Sequence, residues 1–184
     1  MGTLSLRKNV GTLLEAYARL RAAVPDAPPL VLAGHRTPAS ARWEARTEQS
    51  PLKGHVTITG YVDSTRKIDL YADAAMLVLP SYEEGFGLPV LEAMACGVPV
   101  IVSDRGSLPE VAGAAANPID ADDAEGFARA MQSVIAGDAR AAIDRGVAQA
   151  ATHSWPACAA QAHKAYQSAI EVRLRGSRFG ATSP

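Results

Sequence analysis

The stretch Ala75-Met76-Leu77-Val78-Leu79-Pro80-Ser81-Tyr82-Glu83-Glu84-Gly85-Phe86-Gly87-Leu88-Pro89-Val90-Leu91-Glu92-Ala93-Met94-Ala95-Cys96-Gly97-Val98-Pro99-Val100-Ile101-Val102 reads as strand, loop, helix, strand. Residues 75–79 are an apolar run too short for a buried helix and rich in strand formers, and the run ends at Pro80. A loop marked by Gly85 and Gly87 follows, and a helix opens near Leu88 with Pro89 in its first turn, where a missing N–H costs nothing. Residues 98–102 supply the next buried strand. A glycine-bearing loop feeding a helix N-terminus leaves first-turn N–H groups without partners and turns the positive end of the helix dipole outward, which makes an anion site. Two carboxylates, Glu84 and Glu92, border it, and Cys96 on the same helix reads as a buried small hydrophobe.

The same alternation extends in both directions. Upstream, residues 10–24 place Val10, Leu13, Leu14, Tyr17, Leu20 and Val24 at helical spacing behind Asn9, a candidate N-cap. Pro25, Pro28 and Pro29 stop that helix, and Leu30–Ala33 is a short apolar strand ending at Gly34. A more polar helix over 39–49 is expected on the surface, followed by a strand over 55–62 and a helix over 65–72. Downstream, a short helix over 108–112 precedes a weak strand near 115–119, helical pattern over 122–149 broken at Gly137-Asp138, and a terminal helix over about 155–174. Met1-Gly2-Thr3-Leu4 resembles the C-terminal end of a strand. Short apolar strands alternating with helices, without tight hairpin turns, predict an α/β fold: one Rossmann-like domain over 1–172, with a parallel sheet of about six strands covered by helices on both faces, and a frayed tail over 173–184.

Composition narrows the function classes. With 184 residues, 48% hydrophobic content and a formal charge of -1, the chain has enough apolar surface for a core and no general attraction to nucleic acid. It lacks an apolar run of about 18 residues that could span a bilayer, and it shows no signal-peptide pattern, so a cytoplasmic location is expected. Cys96 and Cys158 form neither a disulfide framework nor a zinc ligand set.

In parallel α/β sheets, ligands bind outside the carboxyl ends of the strands. That rule gathers the loops Thr3–Asn9, Gly34–Thr37, Gly60–Asp63, Ser81–Leu88 and Ser103–Ser107 on one edge. Two acids beside an anion site would repel a phosphate, but they suit neutral diols, each carboxylate accepting two hydroxyl hydrogen bonds. Arg7 and Lys8, on the first loop of the same edge, are then the candidates for neutralising phosphate. Diol acceptors, a glycine loop with free N–H groups and two cations together describe a site for a sugar nucleotide.

The run Pro80-Ser81-x-x-Glu84-Gly85-Phe86-Gly87-Leu88-Pro89-x-x-Glu92-Ala93-Met94-Ala95-Cys96-Gly97-x-Pro99-Val100-Ile101 resembles the E-x7-E signature of retaining GT-B glycosyltransferases of family 4. The resemblance continues through Gly106-Ser107-Leu108-Pro109-Glu110-Val111-Ala112-Gly113, starts at Gly2-Thr3-Leu4-x-x-Arg7-Lys8-Asn9, and covers residues 2–172. It implies the second, donor-binding half of a GT-B fold. Glu84 would be the catalytic-site acid that holds hydroxyls of the transferred sugar, and Glu92 would hold the ribose. Phe86, Gly87 and Leu88 would meet the sugar and diphosphate through the backbone, Arg7 and Lys8 would neutralise the phosphates, and Gly60, Tyr61 and Val62 would contact the base. Many relatives carry arginine where this chain has Thr3, which passes more of the phosphate role to Arg7.

The implied activity is transfer of a hexosyl group from a nucleotide-diphosphate sugar, GDP-mannose or a UDP-sugar, to an acceptor the sequence does not identify. No metal and no cofactor are expected. The implied partner is an N-terminal acceptor domain, in cis or in trans, through which any peripheral membrane contact would run, and on its own the chain is expected to transfer slowly or not at all. Left uncovered, the edge around Phe86 is expected to invite homodimers. The competing reading is a non-catalytic nucleotide-sugar-binding module, or the donor subunit of a split two-chain transferase.

Overall fold

The computed structural model describes residues 1–137 and 139–179, with side chains described as far as Arg173. The chain divides into two compact units, Met1–Ala150 and the residues from Ala151 onward. In the first unit, helix α1 (Val10–Ala23) leads to strand β1 (Leu30–Ala33), then α2 (Ala41–Thr47), β2 (Val56–Gly60), α3 (Ser64–Ala72) and β3 (Leu77–Leu79). Helix α4 (Leu88–Ala95), strand β4 (Val100–Val102), and helices α5 (Leu108–Ala112), α6 (Ala124–Ile135) and α7 (Arg140–Ala151) complete it. The second unit consists of helix α8 (Trp155–Phe179). The expected break at Gly137-Asp138 falls between α6 and α7, although Asp138 itself lies outside the described residues. Of the expected tail over 173–184, residues up to Phe179 belong to α8 and the last five lie outside the described residues.

The strands are parallel, as the absence of hairpin signals requires: Leu30 to Leu32 of β1 run beside Val56 to Ile58 of β2, and Leu77 to Leu79 of β3 beside Val100 to Val102 of β4. Side chains on a strand alternate between faces, and β4 shows where they go. Val100 and Val102 join one core, with Leu77 and Leu79 of β3, Val90, Ala93 and Met94 of α4, and Leu108 and Val111 of α5. Ile101 joins the other, with Leu13, Leu14 and Tyr17 of α1 and Phe127, Ala128 and Met131 of α6. Helices therefore cover both faces, and an all-apolar strand sequence is the physical consequence.

The strand count differs from the expected six. Among the described residues four strands form, in two pairs, and the other two expected strands survive only as local pairings. At the amino end, the N–H groups of Gly2 and Leu4 each donate to β1-side carbonyls, those of Ala33 and His35, at 2.8 Å. The chain then leaves for the 3-10 helix Leu6–Lys8 before a ladder can lengthen. Near 115–119, Ala115 is taken by a 3-10 helix and Pro118 has no N–H to give, so only Ile119 pairs, with Ser103. Two side-chain expectations also change. The polar helix α2 is not wholly a surface element, because Trp43 is buried in the α1/α6 core. Cys96 is exposed, since it sits at the C-cap of α4, where the helix ends, rather than on its inner face.

The turn into α1 fixes the first loop. Asn9 adopts a left-handed conformation (φ 49°, ψ 44°), and among the described residues it is the non-glycine that does so. It stands at the N-cap position, but its side chain does not bond the helix backbone. Instead Nδ2 donates to the Ala121 carbonyl at 2.7 Å, and Oδ1 accepts from the Thr12 hydroxyl at 2.9 Å. Asn tolerates this backbone better than most other side chains, so one residue supplies both the reversal and a buried bond to the segment that leads into α6. Asn9→Ala is expected to destabilise by about 2 kcal/mol, from an unsatisfied carbonyl and left-handed strain. In denaturant titration Asn9→Gly should recover the conformational part but not the bond, falling between the two; a silent Asn9→Ala would contradict this account.

Candidate functional site

The five loops expected at the carboxyl ends of the strands do meet. Leu4 N–H donates to His35 O, and Thr37 Oγ1 donates to Leu4 O at 2.6 Å, which joins the first loop to the one after β1. Gly34 N–H donates to Gly60 O at 2.8 Å, which adds the loop after β2. Tyr82 N–H donates to Arg7 O at 2.8 Å, and Ser103 Oγ donates to Ser81 O at 2.5 Å, which adds the last two.

At the centre stands Glu84, buried to 9% exposure. Its Oε1 accepts from Lys8 Nζ at 2.5 Å and from Ser81 Oγ at 2.7 Å, and its Oε2 lies 3.4 Å from Arg7 Nη1. The same Arg7 nitrogen donates to Glu83 O at 3.1 Å. Lys8 is as buried as its partner, whereas half of the Arg7 side chain remains in solvent. Burial pushes the Glu84 carboxyl up, but the hydrogen bonds from Lys8 and Ser81 and the charges of Lys8 and Arg7 outweigh it, leaving the group below its ordinary value. The main chain is held as well: Ser107 Oγ donates to Glu84 O at 3.2 Å.

Glu92 occupies α4, eight residues on, and is more open. Lys67 Nζ of α3 lies 2.5 Å from its Oε1, and Tyr71 OH donates to its Oε2 at 2.9 Å. Burial, then the Glu92 charge and hydrogen bond, raise the Tyr71 phenol far above its ordinary value, so it remains a donor. Between the two acids, Phe86 and Leu88 are each 47% exposed, and Gly87 caps α4 with φ 89°. A β-carbon there would come within 3.1 Å of Leu108, so glycine is needed for conformation and for space. In the loop after β2, Gly60 turns at φ 74°, Tyr61 stacks on His35 with ring centres 5.0 Å apart, and Val62 is half-buried.

The residues singled out in sequence thus stand on the loops that meet at this edge, or, for Glu92, on the helix that one of them enters, and Glu92 is bonded by Lys67 and Tyr71 of α3, the helix that follows the Gly60–Val62 turn. The expected separation of cations from acids does not hold, because Lys8 and Arg7 point at Glu84. Sequence reasoning did not bring Lys67 and Tyr71 to this edge, and it gave Ser81 and His35, which stand in the gathered loops, no partners. Lys67 and Tyr71 carry a signal in hindsight: spaced by four on α3, they share one helix face. The pH behaviour follows from Glu84. Its folded-state carboxyl titrates below the unfolded value of about 4.3, so the ionised form stabilises the fold above that pH, and the contribution is lost as pH falls through the folded-state value. Glu84→Gln is expected to cost about 3 kcal/mol at pH 7, the size of leaving one member of a buried pair alone. In melting experiments its deficit against the parent should shrink toward pH 3.

Comparison with known proteins bears on the family and the fold. A family model described as "Glycosyl transferases group 1" matches residues 1–148. The O-antigen chain mannosyltransferase B of Escherichia coli is 39% identical over 170 residues, covering 91% of this chain and 44% of that protein. Among solved structures, a sucrose-phosphate synthase from Thermosynechococcus elongatus superposes with a TM-score of 0.80 at 29% identity, over 93% of this chain and 45% of its own. The C-terminal domain of a glycosyl transferase group 1 family protein from Francisella tularensis superposes with a TM-score of 0.72 at 25% identity, over 83% of this chain and 82% of its own. The chain spans less than half the length of the mannosyltransferase it matches. The fold is a Rossmann-like half of the GT-B type, and the chain belongs to the glycosyl transferases group 1 family.

Proposed function

We propose that this chain is the donor-binding half of a retaining hexosyltransferase that takes a sugar from a nucleotide diphosphate, with GDP-mannose as the first candidate. The observation that carries the reading is the spacing along one edge: a buried acid with two cations, an open acid eight residues later on a helix, and between them a glycine loop entering that helix. Such an order matches the order of parts in the ligand. Glu92, half open and already accepting from a hydroxyl, is suited to the ribose diol. Glu84 is suited to the hydroxyls of the transferred sugar, orienting it rather than attacking it. Arg7 and Lys8, with the N–H groups at the start of α4, would stabilise the departing diphosphate, and no metal is invoked for that step. The backbone of Phe86, Gly87 and Leu88 would lie along the sugar and diphosphate, and Gly60, Tyr61 and Val62 would meet the base.

The mannosyl donor is favoured by the name of the mannosyltransferase relative. The acceptor and its binding surface are assigned to the remainder of the whole protein, and the reaction to the cytoplasm, where nucleotide sugars are made.

Isothermal titration of the purified chain with GDP-mannose, GDP, UDP, ADP and guanosine tests the reading. Binding of at least one diphosphate in the low millimolar range or tighter is expected. Arg7→Ala, at a half-exposed position, should weaken GDP about tenfold, the effect of one charge-assisted bond, with little change for guanosine. Glu92→Ala should weaken nucleotides with an intact ribose more than their 2′,3′-dideoxy analogues. Silence with every nucleotide, or equal losses for ribose and dideoxyribose, would sink the proposal.

A further inference from the structure

Both oxygens of the Glu92 carboxylate are held from a single helix by two unlike donors. Lys67 and Tyr71 stand one turn apart on α3 and share a face of it. Lys67 Nζ lies 2.5 Å from Oε1, and Tyr71 OH donates to Oε2 at 2.9 Å. A carboxylate offers about four lone-pair sites, two on each oxygen, and α3 takes one on each. The second site on each oxygen lies beside its twin, which is the acceptor pattern that two vicinal hydroxyls require.

The two donors constrain the acid to different degrees. The last torsion of a glutamate is broad and nearly two-fold, so the plane of its carboxylate is set by its partners and not by the side chain itself. Lys67 is a point charge on a flexible stem, 32% exposed, and its rotatable donors can follow the oxygen as it turns. Tyr71 cannot follow. It is 3% exposed and belongs to the core that contains Leu77, Val90 and Met94, so its hydroxyl sits at the end of a wedged ring. That hydroxyl also stands 3.4 Å from Pro89 O in the first turn of α4, but the carboxylate at 2.9 Å is the better acceptor for its single proton. Burial, followed by the charge and hydrogen bond of Glu92, raises the phenol far above its ordinary value and keeps the proton in place.

We propose that Tyr71 is the positioning residue of this site: its hydroxyl fixes the plane of the Glu92 carboxylate so that the remaining acceptor site on each oxygen meets one hydroxyl of a ribose diol. Tyr71 acts through Glu92 and touches no part of the nucleotide. The proposal rests on the reading of Glu92 as the ribose acid, and goes past it by naming the group on which discrimination between ribose and its deoxygenated forms depends. Without the phenol, Lys67 alone holds the acid, the carboxylate turns with the ammonium, and a diol finds one aligned acceptor in place of two. The ring itself is needed only to carry the hydroxyl, since its core contacts are apolar.

The test titrates GDP, UDP and their 2′,3′-dideoxy forms into the full chain and into Tyr71→Phe, Glu92→Ala and the double variant. Phenylalanine keeps the ring in the core, so Tyr71→Phe retains the fold. It is expected to weaken the ribonucleotide about tenfold, the effect of one hydrogen bond to a charged group, and to leave the dideoxy form within about twofold. In the Glu92→Ala background the same substitution should change neither, because the two residues act as a unit. Equal losses for ribose and dideoxyribose would make Tyr71 a support of the fold alone. An undiminished loss on top of Glu92→Ala would mean that the phenol acts elsewhere, and full affinity of Tyr71→Phe would leave the carboxylate to Lys67. Each of these overturns the proposal and leaves the ribose assignment standing when Glu92→Ala alone discriminates between the two forms. Glu92→Ala binding both forms as the parent does, or silence with every nucleotide, overturns the ribose reading and this inference with it.

Discussion

The buried pair of Lys8 and Glu84 is the constraint from which the rest of the loop edge follows. A charge taken out of water must be met by an opposite charge and by hydrogen bonds that use its remaining lone pairs. Glu84 meets both conditions, but only because residues from two distant parts of the sequence arrive together, Lys8 before α1 and Ser81 after β3. Lys8 is delivered by the left-handed turn at Asn9, which is itself anchored to Ala121. Ser81 is delivered by β3 and held by Ser103 beyond β4. One ion pair therefore couples the start of the chain, the signature loop and the loop after β4, and the position of each carries into the other two.

The pair also sets the chemical character of the site. The two cations compensate a buried carboxylate, so any group that drew Lys8 or Arg7 away would have to bring donors for Glu84 in their place.

Much of this was legible in the residues. The all-apolar runs of β1, β3 and β4 could only be parallel strands buried on two faces, and the proline and glycine pattern around Leu88 marked the start of α4 within a residue. What the sequence did not show has local causes. The number of strands was overestimated because apolar character near Met1 and Ile119 was counted without asking whether enough consecutive N–H groups were free to pair; Pro118 and the early 3-10 turn decide that. The helix over 39–49 was placed on the surface because it is polar along most of its length, yet one large ring, Trp43, is enough to seat α2. The partners of the two glutamates, Ser81 for Glu84 and Lys67 and Tyr71 for Glu92, were not read, because the fold alone brings α3 up to α4 and turns Ser81 toward Glu84.

Gly106 carries a consequence of another kind. It turns at φ 57°, and a β-carbon on it would stand 3.2 Å from the Glu84 amide nitrogen, so two loops meet main chain to main chain at this point. The height of the carboxylate above the sheet is then set by peptide geometry, with no side chain interposed as a spacer. Substitution at Phe86 or Leu88, both exposed, leaves that main-chain contact in place, whereas a side chain at residue 106 would push directly on the backbone that carries the acid.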